Sequence, residues 1–461
     1  MTDTVADAGR SALPERTWFG HPRGLTILFL TEMWSEFSFF GMRTLLVYYM
    51  TRQLLISQQD SSLIYGLYAA SVYFTPIIGG VISDRWLGRR RAVLLGGGIM
   101  AIGHFMMAFE SLFYPALATI AIGNGLFLPT LTSQINDLYA EDDPRKTSAY
   151  NIYYVGINVG AVFAPLGCGT VGELFGWHWG FTLAGIGMVS GLIIYLVGAR
   201  YLPKNQHAPT HGQDVQPKEK TPRPSLTAER YLLLGAVFLF VVIYRSAYEQ
   251  VGNTVALWAE TGVDRMIGSW TIPMTWFQSL NPLGIFLFTP VIVAWWTRRA
   301  KHGRDHTALA KMATGALLLA AAFLILAGAA VLAQHTGQRA SWLWLALYFF
   351  TYTVGELFIL PVGLSLFGRM APSNHAATMI AAWFAAAFFG NLVAGALGTL
   401  WSALPPALFF MLTAGVAATS AILLLSLVPW ARRFDLDGQA RQEAVANLAA
   451  ALPASGLSSD R

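Results

Sequence analysis

The sequence predicts an all-α membrane protein with twelve transmembrane helices in two six-helix bundles. Three observations predict it. Long apolar segments recur from Gly24 to Trp430 and are separated by short turns. The 461 residues are 55% hydrophobic and only 12% charged, a balance that excludes an ordinary water-soluble domain. The Lys and Arg residues, finally, fall almost entirely on one side of a twelve-span arrangement.

Each span needs roughly 20 residues to cross about 30 Å of hydrocarbon. In the N-terminal half the apolar runs predict spans over 25–49, 62–83, 92–109, 113–136, 149–169 and 179–199. The third of these is short and needs extension into its flanks. In the C-terminal half they predict 229–250, 272–296, 308–333, 341–366, 375–400 and 405–430. Segments such as Ala316–Ala333 are rich in Ala, Leu and Gly and lack a period of two, which argues against a β-barrel. The first 20 residues contain Asp3, Asp7, Pro14 and Glu15 and no apolar core. No cleavable signal peptide is therefore expected, and the first span should stay in the membrane.

Basic residues collect around Arg10, Arg16 and Arg23, around Arg85 to Arg91, at Arg145 and Lys146, over Arg200–Arg230, over Arg298–Lys311, at Arg369, and at Arg432 and Arg433. Arg52, Arg265 and Arg339 occupy the opposite side. Both termini are then expected in the cytoplasm of a multi-pass protein of the cytoplasmic membrane. The net charge of +5 is a topology signal; the basic residues lie in short connections without aromatic interleaving, so no nucleic-acid partner is expected. The polar stretch Ala208–Ser225, with several prolines, reads as a flexible linker. The predicted organisation is a cytoplasmic segment 1–24, bundles 25–200 and 229–430, a linker 201–228 and a tail 431–461. Two halves of this kind are expected of an alternating-access carrier.

Cys168 is the only cysteine, and His104, His178 and His375 are far apart, so neither a disulfide nor a metal site is expected. No nucleophile elbow, phosphate loop or zinc motif is present, and the chain does not read as an enzyme or as a cofactor binder. Gly96-Gly97-Gly98 reads as close helix packing.

The informative residues are the ionisable ones inside spans. Glu32, Glu36 and Arg43 stand at offsets of 0, 4 and 11 on nearly one helical face. A charged residue at a span centre costs about 2.5–3.5 kcal/mol, so these should face a polar cavity. Two readings are open: a structural network, or a role in transport. Two carboxylates one turn apart repel when both are ionised, and a proton on one relieves that repulsion. Arg245 and Glu249 form an i,i+4 pair in the seventh span. Glu356 stands alone in an apolar span beside Tyr348 and Tyr352, and needs a proton or a cationic partner such as a substrate amine. Asn158 and Asn281 offer neutral hydrogen bonds, to substrate or to a neighbouring helix. Tyr68, Tyr73 and Trp383 either line a pocket or pack.

The loop Gly80-Val81-Ile82-Ser83-Asp84-Arg85-Trp86-Leu87-Gly88-Arg89-Arg90 resembles the signature of the major facilitator superfamily. Tyr150–Gly160, Gly176–Phe181, Tyr248-Glu249-Gln250, Phe277–Pro282, Glu356 with Pro361–Ser365, and Trp383-Phe384 resemble its proton-dependent oligopeptide transporter branch. The resemblance covers essentially the whole membrane region. It implies the major facilitator fold and symport of di- and tripeptides, with the transmembrane proton gradient as energy source. Glu356 and Asn281 would then meet the peptide amino group and Arg43 its carboxylate. Asn158, Tyr68 and Trp383 would line the pocket, and Glu249 would serve coupling with Glu32 and Glu36. Asp84, Arg85, Arg89 and Arg90 would gate the cytoplasmic side. The implied partners are peptide, protons and lipid, with the monomer as the working unit.

The chain departs from the family in two places. The usual Glu-x-x-Glu-Arg-Phe-x-Tyr-Tyr-Gly appears as Glu32-Met33-Trp34-Ser35-Glu36-Phe37-Ser38-Phe39-Phe40-Gly41, and the fourth-span lysine is Leu128. Two cations are thereby absent. A facilitator of another small zwitterion or amphiphile without proton coupling is the alternative. A channel fits less well, because the polar residues form no repeated ring.

Overall fold

The computed structural model describes residues 17–18, 20–140, 143–203, 228–303, 306–370 and 376–432. Most of the linker, of the tail and of the N-terminal segment lies outside them. The described chain is almost wholly helical, as a bilayer requires of segments that must satisfy their own backbone polar groups. The first helices are α1 (Arg23–Tyr48), α2 (Gln58–Ile82), α3 (Arg89–Met106), α4 (Phe113–Asp137) and α5 (Arg145–Ala164). They are followed by the short α6 (Thr170–Phe175), then α7 (Trp177–Gly198) and α8 (Ala228–Tyr248). A second short helix, α9 (Thr254–Thr261), precedes α10 (Leu280–Lys301), α11 (Ala308–Thr336), α12 (Trp342–Met370), α13 (Ala376–Gly398) and α14 (Pro406–Arg432).

Among the described residues, 10 helical segments are long and apolar enough to cross a membrane. In that count α5 and α6 run on as one segment, Arg145–Phe175, through a π-helical turn at Pro165–Gly169. Likewise α8 and α9 form Ala228–Thr261 through a 3-10 turn. Helices α1 and α3 fall outside the count for identifiable reasons. Glu32 and Glu36 dilute the apolar run of α1, and the 18 residues of α3 begin with Arg89, Arg90 and Arg91. The sequence places the third span at 92–109, whereas the helix begins three residues earlier, directly after Gly88 at φ +73. Only glycine adopts such a turn at little cost, so the chain leaves the π-turn Ser83–Leu87 and restarts as α3 there.

Contacts divide the described chain into two compact units, one drawn from Met1–Leu45 and Thr75–Asp214, the other from Leu46–Phe74 and Val215–Arg461. In the first, α3 packs on α4 and on α7. The glycines explain how closely: a Cβ at Gly96 would lie 2.7 Å from the Gly123 carbonyl oxygen, and one at Gly123 would lie 2.6 Å from that of Gly96. Small residues let membrane helices touch backbone to backbone. The core of this unit includes Leu28, Met100, Phe127, Leu131, Tyr153 and Met188.

In the second unit α11 packs on α12 and α14, α8 on α13 and α14, and α10 on α12. Its core runs through Phe323, Tyr348, Phe349, Tyr352, Phe409 and Phe410. Gly315 and Gly355 mark the crossing of α11 and α12, where a Cβ on Gly355 would stand 2.8 Å from the Gly315 carbonyl oxygen. The short strand Val263–Asp264 pairs in parallel with Ala340–Ser341. A small antiparallel ribbon, Met266–Ile267 with Trp270–Thr271, lies between α9 and α10.

Candidate functional site

The first unit carries a carboxylate cluster on α1. Glu32 is fully buried, and its carboxyl has the Tyr153 hydroxyl within hydrogen-bonding reach. Glu36 lies within electrostatic reach of both Glu32 and Arg43, so the helical face predicted from spacing brings the three together. Tyr153 of α5, also buried, is within reach of Glu32 and Glu36. Its hydroxyl pairs with Thr132 Oγ1 at 3.3 Å, and Thr132 donates to the Leu128 carbonyl oxygen at 3.0 Å. Where the family resemblance implies a lysine, this chain therefore has a neutral sequence of hydroxyls leading from Leu128 toward Glu32. Ser35 is buried on the same helix. Asn158 is buried in α5 and donates to the Tyr154 carbonyl oxygen of its own helix at 2.9 Å.

The second unit holds a larger polar network. Asn281, in the first turn of α10, donates from Nδ2 to Glu356 Oε2 at 2.6 Å and to Thr353 Oγ1 at 3.1 Å. Glu356 is 9% exposed on α12. Thr353 in turn donates to the Phe349 carbonyl oxygen at 2.7 Å, which fixes its hydroxyl. Burying a carboxylate is costly unless hydrogen bonds compensate it, and Asn281 supplies one of the shortest on this surface. On α8, Arg245 Nη1 meets Glu249 Oε1 at 3.0 Å, with side chains 8% and 1% exposed. The Arg245 guanidinium also lies 5.6 Å from the ring centroid of Tyr73 and 5.2 Å from that of Tyr248.

A tyrosine column joins these two groups. Tyr244 stacks on Tyr248 at 5.6 Å, and Tyr248 stacks on Tyr352 at 4.8 Å with planes 17° apart. Tyr352 donates to the Tyr248 carbonyl oxygen at 3.3 Å, and Tyr248 interacts with Glu356 through its side chain. Tyr348 and Tyr352 stand beside Glu356 as the sequence places them, whereas the stacking of Tyr244 and Tyr248 with them is not read from lone charges. A signal was available: Tyr348, Tyr352 and Glu356 stand at successive i,i+4 positions, as do Tyr244 and Tyr248.

The remaining predicted residues have surroundings of their own. Trp383 is buried on α13, edge-tilted on Phe367 at 5.5 Å and pressed against Gly363, where a Cβ would collide with its ring. Gly363 lies seven residues past Glu356, roughly 10 Å along the helix. Tyr68 is buried on α2. In the superfamily-like loop, Asp84 and Arg85 are exposed, whereas Arg89 Nη1 pairs with Asp137 Oδ2 at the end of α4. That pair ties the start of α3 to the end of α4. Arg90 lies within electrostatic reach of Tyr195 on α7. Outside the spans, Arg145 brackets Asp143 with contacts of 2.7 to 3.2 Å, which holds the Asp143 carboxyl below its ordinary range. Among the described residues no group of His, Cys, Asp and Glu is arranged to hold a metal ion.

This arrangement gives the second unit a buried carboxyl at Glu356 and a fixed cation against Glu249, and the first unit a buried carboxyl at Glu32 and a half-buried one at Glu36. Comparison with known proteins gives it a context. The chain is 31% identical to the peptide transporter YePEPT of Yersinia enterocolitica, over 93% of this chain and 98% of that protein. It is 31% identical to a di-/tripeptide transporter of Lactococcus lactis subsp. cremoris, over 89% and 96%. The crystal structure of the peptide transporter POT in complex with sulfate superposes with a TM-score of 0.83 at 28% identity, covering 90% of this chain and 96% of that one. A POT family transporter in complex with 5-aminolevulinic acid gives 0.78 at 26% identity, covering 90% and 98%. The POT family model matches residues 90–216 and 227–411. The chain belongs to the POT family.

Proposed function

We propose that this protein is a secondary active transporter that symports di- and tripeptides with protons by alternating access. The observation that carries the reading is the buried Glu356, hydrogen-bonded to a neutral donor, Asn281, while the nearby Arg245 is engaged by Glu249. Glu356 is thus placed to receive a peptide ammonium group, with Arg245 directed to Glu249. Family membership supplies the substrate class, since relatives 31% identical along nearly their whole length bear the names peptide transporter and di-/tripeptide transporter.

In this reading α1 and α3 also span the bilayer, which brings the total to twelve in the major facilitator arrangement of two six-helix bundles, 25–200 and 229–430, joined by a cytoplasmic linker. Excess Lys and Arg on the linker side place both termini in the cytoplasm. Arg43 takes the peptide carboxylate, and Asn158, Tyr68 and Trp383 shape the pocket. Protons are carried by Glu32, Glu36 and Glu249. The complete burial of Glu32 supports this role, because a proton removes a charge that is costly to hold there. Asp84, Arg85, Arg89 and Arg90 act in cytoplasmic gating, and the protein works as a monomer driven by the proton gradient.

One observation favours a second reading, facilitation without proton coupling: Ser35, Glu36 and Leu128 stand where the family pattern has a glutamate and two cations. Proteoliposomes with pH and voltage set independently decide between the two. Uphill dipeptide accumulation that follows the imposed proton gradient is expected, with counterflow retained but accumulation lost in Glu32→Gln or Glu36→Gln. Wild-type counterflow with no gradient-driven accumulation would establish the facilitator instead.

A further inference from the structure

We infer that the end of the second unit formed by the last turn of α10 and the first turn of α11 is a binding site for the headgroup of an anionic phospholipid. The reading needs only that these helices are membrane-embedded, and it is independent of what the protein transports. Between Ser279 and Gly337 the sequence contains one carboxylate, Asp305, against five cations at Arg298, Arg299, Lys301, Arg304 and Lys311. Of these, Arg298, Arg299, Lys301 and Lys311 lie on described helix, in the two turns that face one end of the bundle.

Two tryptophans organise the cations. Arg299 lies over Trp295 at 5.2 Å, and Lys311 lies over Trp296 at 4.9 Å. Both rings are anchored on Phe358 of α12, at 6.0 and 5.1 Å. A cation held on an aromatic face is positioned before any ligand arrives, which lowers the cost of binding. The Trp296 indole N–H is buried and has no hydrogen-bond acceptor among the described residues. Tryptophans at the interface sit at headgroup depth, with apolar rings in the acyl region and polar edges at the phosphates.

The helix ends explain why the cluster calls for an anion. Arg298, Arg299 and Lys301 suit the negative C-terminal end of α10. Lys311 lies in the first turn of α11, which contains no acidic residue, so its charge adds to that of the α10 cations. A phosphate there would meet positive charge from both helices. Basic sites between helices at the cytoplasmic face bind anionic headgroups, each Lys or Arg contributing about 1 kcal/mol.

The test uses purified full-length protein in phosphatidylcholine nanodiscs doped with brominated phosphatidylglycerol or brominated phosphatidylcholine. The fluorescence of the wild type minus that of W295F/W296F reports the two indoles. Brominated phosphatidylglycerol should quench at a lower mole fraction than brominated phosphatidylcholine. R299Q/K311Q should weaken its apparent affinity by about thirtyfold, from about 1 kcal/mol for each of two charges. Counterflow of the variant in phosphatidylcholine liposomes checks its fold. On the wild type alone, added salt should shrink the lipid preference. Equal quenching by the two lipids, a preference insensitive to salt, or one that survives in a folded R299Q/K311Q overturns the inference. Complete relief of quenching by millimolar inorganic phosphate would identify a soluble-anion site and overturn the lipid assignment.

Discussion

Replacing Glu356 by Gln removes a charge and very little else. The amide has nearly the shape of the carboxylate, and its oxygen can still accept from Asn281, which now donates at 2.6 Å. Thr353 remains held by the Phe349 carbonyl oxygen, so the local helix is not disturbed. The loss is confined to the interaction with a cation. A hydrogen bond to a charged group contributes about 1.5–3 kcal/mol, and at 9% exposure there is little solvent to screen it. Binding of a dipeptide with a free amino terminus should therefore fall by about 10- to 150-fold. The measurement is direct peptide binding to purified protein by calorimetry, run in parallel with an N-acetylated dipeptide of the same sequence. The acetylated ligand has no ammonium group, so it should bind weakly and equally to both proteins. Equal losses for the free and acetylated peptides would refute the assignment of Glu356 to the amino group, as would unchanged binding of the free peptide.

Three further outcomes are expected. Arg245→Met or Glu249→Gln alone should lower the thermal denaturation midpoint in detergent, because stranding one member of a pair buried this deeply costs about 3–5 kcal/mol; the double variant should recover much of that loss, and strictly additive losses would contradict the pairing. Arg43→Ala should weaken binding of a dipeptide acid more than that of its amide, whereas equal losses would assign Arg43 to holding Glu36. Just before α5, the Asp143 carboxyl is held low by Arg145, so this contact adds stability above about pH 4 and loses it as pH falls below; Arg145→Gln should flatten that part of the pH–stability profile, and an unchanged profile would dismiss the contact.

Apolar runs made the helices legible, but their ends followed different rules. Apolar runs end a span where charges begin, yet α3 takes Arg89 to Arg91 into its first turn, and there Arg89 pairs with Asp137 on α4. That partner is distant in sequence and invisible to a local reading. The fifth span was expected to stop at 169, whereas Pro165 opens a π-turn through which the helix continues to Phe175. In the site, contacts along one helix could be read from spacing: Arg245 with Glu249, and Glu32 with Glu36 and Arg43. Contacts across helices could not. Asn281 and Glu356 are separated by 75 residues, and the Tyr248–Tyr352 contact by 104. Periodicity says which face of a helix a residue occupies; only the packing of α8, α10 and α12 says which faces meet.

The crossing of α11 and α12 has a further consequence for Glu356. The residue immediately before it, Gly355, meets Gly315 backbone to backbone, and a methyl group on either would intrude on the other's carbonyl oxygen. The carboxylate is thus located by a neighbour that has no side chain. Enlarging position 355 or 315 would leave every polar atom of the network in place chemically and still lift α12 away from α11, carrying Glu356 off Asn281. At this crossing the register of the Glu356–Asn281 contact is set by what is missing, two side chains that would hold the helices apart.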